Sequence, residues 1–352
     1  MYETIWIEKN KSSRFGVHFY EDASKWELFK ENCGISNKKQ VLICNKTIDK
    51  EEWNSFTNQF TSEDCLKIDD SMLSDGSALR AFFDKYDKNV IYIILMDEVV
   101  SKFLYQYSNA DDIRNSFISI PVTSSILFDA LTIRPTADES GEIVRKEWFP
   151  QAVYMDVSLL NNASPAEFQN AIAGAFRLSI SYKASLFEWM ISNMYELTDG
   201  DRCALCEFME RGINVVKERL EKDTAKERAI PVYGYDFYKI FKNISEDMPV
   251  ADLLSLSMVC QTYLSWKKEH ISMEEFYEIR DMFVFFGLSI TEDFATPEEL
   301  MDTARKLNLD LLKNNECVYI RKVGKIKIDQ AADEDLITEA LSQIYFDENT
   351  NE

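Results

Sequence analysis

Between Asn89 and Asp97 the chain reads Val-Ile-Tyr-Ile-Ile-Leu-Met, seven consecutive residues with little to offer water on either side. Such a run is too short to cross a bilayer, which takes about 20 apolar residues. Apolar on both faces, it predicts a strand covered by other layers on each side, as strands of parallel sheets are. Shorter runs of the same kind lie at Gln40–Lys46, Phe117–Val122 and Gln151–Val157, with a helical stretch at Ala78–Tyr86 between two of them. Strands that alternate with helices predict an α/β layer with a parallel sheet. This N-terminal domain is expected to occupy residues 1–160.

The second half reads as helical. Ser164-Pro-Ala-Glu167 has the pattern of a capping box with proline in the first turn. The periodic run behind it extends from Phe168 to Met194. Ser272-Met-Glu-Glu275 opens another helix, which Gly287 ends, and Thr296-Pro-Glu-Glu299 opens a third. Cys317–Arg321 and Lys325–Asp329 read as two strands joined through Gly324, followed by a terminal helix. An all-α domain with this small β pair is expected over 161–346, and residues 347–352 are expected to form a flexible tail.

Charge excludes some functions. The 352 residues include 39 Lys and Arg against 61 Asp and Glu, a formal net charge of −22. A body this acidic repels phosphate backbones and anionic lipid, so neither nucleic acid nor membrane is an expected partner. The start, MYETIWIEKNK, lacks a basic segment followed by an apolar one, so no secretory signal is expected and a cytoplasmic location is. The seven cysteines are an odd, scattered set, which argues against a disulfide framework. Cys203-Ala-Leu-Cys206 is a lone CxxC without the second pair or the nearby histidines that a zinc site would need.

Several segments resemble the sugar phosphate cyclases, of which 3-dehydroquinate synthase is the founding member. The stretch SPAEFQNAIAGAFRLSISYKASLFEWM, Ser164 to Met190, is similar to the family segment PxREFxxGxAEVIKYGxIxDxxFFEWL. Ile120-Pro-Val-Thr-Ser-Ser125 with Asp129 resembles IPTTLLAQVD, and Phe149-Pro150 with Ala152–Asp156 resembles QPxAVLID. Lys217, Gly234, Ser257-Met258 and Val323-Gly324 follow in the family order. The resemblance spans residues 15 to 345. It implies a dehydroquinate synthase-like fold, with a Rossmann-like N-terminal domain that holds NAD on a glycine turn and a helical domain that holds a divalent metal through one glutamate and two histidines. It also implies the chemistry: oxidation of a sugar-phosphate alcohol, elimination of phosphate, reduction of the ketone and ring closure.

The residues at those positions depart from the pattern. The family glycine turn falls on Met96-Asp97-Glu98, where side chains obstruct close approach to the backbone and two carboxylates repel pyrophosphate. The second glycine signature falls near Ile133-Arg134-Pro135. The chain has ten glycines and no GxGxxG. The metal glutamate falls on Gly174, the two histidines of GHTFGH on Tyr235 and Lys239, and HGE on Val250-Ala-Asp252. The chain's two histidines, His18 and His270, lie elsewhere. The DKK motif falls on Asn308-Leu-Asp310, without its lysines. Asp129, Arg177, Lys217 and Lys239 remain as a residual anion site.

Neither NAD nor metal is therefore expected as a cofactor. The first reading is a catalytically silent cyclase homologue, a pseudoenzyme kept as a structural or regulatory partner, forming a homodimer or a heterodimer with an active cyclase paralogue. The second is an enzyme rebuilt to act on an anionic sugar-like substrate without NAD or metal. The third is an NAD-dependent cyclase of the family's own kind.

Overall fold

The computed structural model describes residues 3–346 apart from 49–52, 54, 55, 87, 88, 110–114, 139–141, 231, 246 and 313–315. The chain divides into two compact units, Met1–Ala163 with Val216–Ile230, and Ser164–Val215 with Pro231–Glu352. The tail expected at 347–352 lies outside the described residues.

The first unit is built on β1 (Ile5–Asn10), β2 (Ser13–Tyr20), β3 (Lys39–Asn45), β4 (Cys65–Ile68), β5 (Val90–Met96), β6 (Phe117–Pro121), β7 (Thr136–Ala137), β8 (Ile143–Arg145) and β9 (Ala152–Asp156). Seven of them form one sheet in the order β1-β2-β9-β6-β5-β3-β4, and β7 pairs with β8. Every residue of β5, β6 and β9 is buried. Side chains alternate between the faces of β5. Val90, Tyr92, Ile94 and Met96 join Val41, Ile43 and Phe117 in one apolar cluster, covered by Leu79 and Phe82 of α2 (Ser77–Asp84) and by Val100, Phe103 and Leu104 of α3 (Glu98–Tyr107). Ile91, Ile93 and Leu95 join Leu42, Ile118, Ile120 and Tyr154 in a second cluster, covered by Trp26 and Phe29 of α1 (Trp26–Asn32) and by Trp53 and Phe56. Each fully buried aliphatic or aromatic side chain contributes roughly 1.5–3 kcal/mol.

The sheet is parallel from β2 to β4, but its edge strand β1 runs antiparallel to β2. The reason is local. Asn10 and Ser13 are joined by Lys11-Ser12, and two residues can connect only antiparallel neighbours. Asn10 Oδ1 accepts from the Ser12 amide at 2.9 Å and fixes the turn. A one-turn helix, α4 (Ser158–Asn161), ends the unit's first segment.

The second unit carries α5 (Pro165–Tyr182), α6 (Ala184–Ser192), α7 (Met194–Thr198) and the first part of α8 (Arg202–Lys222), which continues into the first unit ahead of α9 (Ala225–Ala229). It goes on with α10 (Tyr235–Ile244), α11 (Val250–Lys267), α12 (Met273–Phe285), α13 (Pro297–Lys306), the hairpin β10 (Glu316–Lys322) with β11 (Lys325–Gln330), and α14 (Glu334–Ser342). Helix α11 is its axis. Residues 253–265 of that helix are all buried, so it is covered all round instead of on one stripe. Its buried hydroxyls are satisfied internally: Ser265 Oγ donates to Gln261 O at 2.9 Å and accepts from the Ile320 amide at 3.2 Å.

The capping boxes at Ser164/Glu167, Ser272/Glu275 and Thr296/Glu299 form as the sequence indicates. The periodic run from Phe168 to Met194 is not one helix. It breaks at Lys183, which is extended at φ −153°, ψ 90°. A tertiary contact accounts for the break. Gly324, at the turn of the β10–β11 hairpin, donates its N–H to Ile180 O at 2.7 Å and lies so close to Ala184 that a Cβ would collide with the Ala184 backbone nitrogen. Gly324 also sits at φ +82°, a conformation that side chains disfavour. Gly324→Ala is therefore expected to lower stability by roughly 2–4 kcal/mol. Gly200→Ala, at φ +72° with open space around it, should cost about 1 kcal/mol. Urea unfolding of the two variants measures the difference, and equal losses would refute the packing account of the break.

Candidate functional site

Strand order locates the crevice where an open α/β sheet binds ligands. The chain steps outward from β3 to β4 and then returns to the other side of β3 with β5. Ligands of such sheets bind beyond the strand C-termini at this kind of reversal. Met96-Asp97-Glu98 lie at that end of β5. Met96 is the strand's last, fully buried residue. Asp97 caps α3 from an ordinary extended conformation, φ −127°, ψ −171°, so the turn does not need glycine. Asp97 Oδ1 accepts from the Val100 amide at 2.8 Å. Its Oδ2 accepts from Asn45 Nδ2, at the C-terminus of β3, at 2.7 Å. One carboxylate thus occupies a helix N-terminal donor and ties together the two strands that flank the reversal.

Glu98 lies beside it. Its Oε1 accepts from Thr123 Oγ1 at 3.2 Å, and Thr123 Oγ1 is 3.1 Å from Ser125 Oγ. Burial pushes the carboxyls of both Asp97 and Glu98 above their usual range. For Asp97 the bonds from Val100 and Asn45 pull the other way, and for Glu98 the neighbouring Asp97 charge adds to the upward push. These residues do not fit a dinucleotide. The amide that would meet a phosphate is already bonded to a carboxylate, and a second carboxylate stands next to it.

The other first-unit positions are tied into ion pairs or helix. Asp129 pairs with Arg134, the residue at the family's second glycine signature. Beyond it, Glu147 Oε1 accepts from Thr132 Oγ1 at 3.1 Å, and Glu147 Oε2 lies 2.6 Å from Arg228. Burial pushes the Glu147 carboxyl up, against the pull of the Arg228 charge. Lys217 is half-buried in α8, within the Val216–Ile230 segment.

In the second unit the three metal positions sit on helices that pack together. Gly174 is buried in the middle of α5. Tyr235 opens α10 and is 40% exposed, with Lys239 Nζ 4.5 Å from the ring centre. Val250 opens α11. Asn170 Oδ1 accepts from the Ala251 amide at 2.9 Å and binds the start of α11 to α5. Gly234, at φ +78°, is close enough to α11 that a Cβ would stand 3.2 Å from Ser257 O. A hydrogen atom and an isopropyl group cannot bind zinc, and a phenol is not among its usual ligands. Among the described residues no three His, Cys, Asp or Glu side chains gather where a metal ion would be held. His18 Nδ1 is 3.1 Å from Thr4 Oγ1, and His270 Nε2 is 3.2 Å from Asp329. The residues present do not fit the metal.

Of the residual cations, Lys239 pairs with Asp236 at 2.7 Å, and Asp236 also accepts from the Leu311 amide at 3.0 Å. Arg177 is half-buried on α5, three residues beyond Gly174. Thr123 lies in the family-like segment Ile120–Ser125, whereas Asn45 and Asn170 carry no signal of their own in the sequence. Asn45 closes a strand-like run, but only the strand order gives it significance. Asn170 lies inside the family-like segment yet matches none of its motif residues.

The raised Glu98 carboxyl has a consequence for stability. A carboxyl whose pKa is raised by folding contributes stability that is present below the unfolded pKa and lost as pH rises through the folded one. Glu98→Gln removes that loss. The variant should be more stable than wild type at neutral pH, and the gap should close towards about pH 4. Urea unfolding across that range measures it, and a gap independent of pH would show that ionisation is not the cause.

No family model matches the chain. It is 24% identical over 219 residues to the 3-dehydroquinate synthase of Campylobacter concisus (strain 13826), which covers 60% of this chain and 62% of that one. It is 25% identical over 235 residues to the 3-dehydroquinate synthase of Thermodesulfovibrio yellowstonii, covering 63% of this chain and 64% of that one. The chain thus spans less than two thirds of the length of either relative. Its fold matches 2-epi-5-epi-valiolone synthase from Streptomyces hygroscopicus subsp. jinggangensis 5008, solved with NAD+ and Zn2+ bound, with a TM-score of 0.69 at 11% identity over 95% of this chain and 98% of that one. The chain is thus similar in sequence to members of the 3-dehydroquinate synthase / sugar phosphate cyclase family, and the solved structure shows a shared fold.

Proposed function

We propose that this protein is a catalytically silent member of that family which acts as a structural or regulatory partner. Its counterpart is an active cyclase paralogue or a second copy of the chain. The observation that carries this reading is the Asn45–Asp97–Val100 arrangement. The crevice that would take the nucleotide is bridged by the protein's own side chains, so the oxidation that starts the family's reaction has no hydride acceptor. The groups at the metal positions support the same reading, since none of Gly174, Tyr235 or Val250 offers a usual zinc ligand. The pairing of Lys239 with Asp236 weighs against a rebuilt anion-binding centre.

Isothermal titration with NAD at low salt is expected to give no saturable binding tighter than about 1 mM. Elemental analysis after dialysis is expected to find no stoichiometric zinc, cobalt or iron. A micromolar affinity, or one metal per chain, would revive the NAD-dependent cyclase.

A partner role needs a specific interface, which buries on the order of 1,200–2,000 Å² in total. Light scattering of the chain alone and mixed with a cyclase paralogue from the same host should reveal a dimer. With a net charge of −22, a less acidic partner is favoured over self-pairing, and a mixed dimer with a basic partner should form faster at low salt. A strict monomer that binds no paralogue would sink the partner role.

A further inference from the structure

We propose that Cys44 and Cys65 form an intramolecular disulfide when the protein meets a peroxide, so that the outer edge of the first unit's sheet is a thiol oxidation site. Cys44 lies on β3 and Cys65 opens β4, its parallel neighbour. The register pairs Leu42 with Cys65 and Cys44 with Lys67. Paired residues of neighbouring strands share a face, and so do residues two apart on one strand. Cys44 and Cys65 therefore point the same way, and their sulfurs are 3.9 Å apart. A disulfide needs about 2.05 Å, a closure that side-chain rotation within the shared face can supply.

The two thiols are not equivalent. Cys44 is buried, whereas Cys65 is half-buried on β4, the last strand of the sheet among the described residues. An oxidant reaches Cys65 first. The contact between the sulfurs holds the Cys65 thiol below its usual value and pushes Cys44 above it, and the Lys67 charge also favours a thiolate at Cys65. That places the nucleophile on the accessible strand and the resolving thiol behind it. The Cys65 thiolate attacks a peroxide oxygen and breaks the O–O bond to become a sulfenic acid, and the hydroxide that leaves takes up the proton released by the Cys65 thiol to give water. The Cys44 thiol then attacks the Cys65 sulfur, the S–O bond breaks, and the hydroxyl departs as water with the Cys44 proton. Two thiols and one hydrogen peroxide give one disulfide and two waters. The neighbouring strand positions matter as well. Cys44 directly precedes Asn45, so the bond would pin β4 to β3 one residue before the side chain that holds Asp97.

The alternative is that two thiols merely pack together, and a peptide map separates the two cases. The full chain is treated with hydrogen peroxide, blocked with an alkylating agent, and digested with trypsin, which cuts at Lys46 and Lys50 between the two cysteines. The expected product is a Cys44–Cys65 linked peptide pair that dithiothreitol releases, with a loss of two of the seven titratable thiols. It should form at peroxide concentrations about tenfold below those that oxidise the exposed Cys203. In Cys44→Ser, Cys65 should stop as a sulfenic acid that dimedone traps. Wild-type Cys65 that stays reduced while Cys203 oxidises, that links to another cysteine, or that proceeds to the sulfinic acid beside a free Cys44 would overturn the proposal. The wild-type map decides it even where a variant fails to fold.

Discussion

A strand with no exposed side chain, such as β5, has to be covered on both faces, and most of the first unit follows from that requirement. Because successive side chains alternate, the seven residues feed two separate apolar clusters, one under α2 and α3 and the other under α1 with Trp53 and Phe56. Covering both faces favours helical crossovers, and crossovers make neighbouring strands parallel. Parallel strands deliver their C-termini to the same end. Asn45, Asp97 and Thr123 meet there for this reason, whatever chemistry they serve. A crevice at the strand-order reversal is a consequence of the packing, and function depends on what fills it.

Asp97 fills it with the chain's own charge. The N-terminus of α3 favours an anion, and a carboxylate at the cap satisfies it without any ligand. Burying that carboxylate has a desolvation cost that raises its pKa, and the bonds from the Val100 amide and the Asn45 amide offset it in part. A bound pyrophosphate would have to displace those bonds and then stand beside two carboxylates. Under the proposed reading, the contacts that stabilise this end of the sheet are the same ones that exclude the nucleotide.

The sequence was most legible where one residue type has one physical use. The both-faced apolar run gave β5, and Ser or Thr followed three residues later by Glu gave the starts of α5, α12 and α13. Cys317–Arg321 and Lys325–Asp329 gave the β10–β11 hairpin to within a residue or two at each end. What escaped depends on contacts distant in sequence. Nothing in the periodicity between Phe168 and Met194 marks Lys183, because the break is imposed by a hairpin some 140 residues later. The antiparallel edge strand β1 escaped for another reason: its turn, Asn-Lys-Ser-Ser, lacks the glycine that usually announces a hairpin. In the site, the carboxylates of Asp97 and Glu98 are legible in the sequence, but the bond from Asn45 is not, since strand order alone brings β3 beside β5.

The second unit extends the same logic to the metal positions. Close helix packing depends on small residues and on polar ties between helix ends. Gly174 is buried within α5, Gly234 leaves room for the Ser257 backbone, and Asn170 holds the first turn of α11. A glutamate introduced at Gly174 would therefore arrive in a packed interior. It would bring a charge that needs a partner and a volume that the neighbours must make room for, an overpacking cost of about 1–3 kcal/mol before any metal binds. A histidine at position 235 would begin from the first turn of α10, where the tyrosine is partly exposed. The three positions thus sit in three different environments, one packed, one partly exposed and one at a capped helix start.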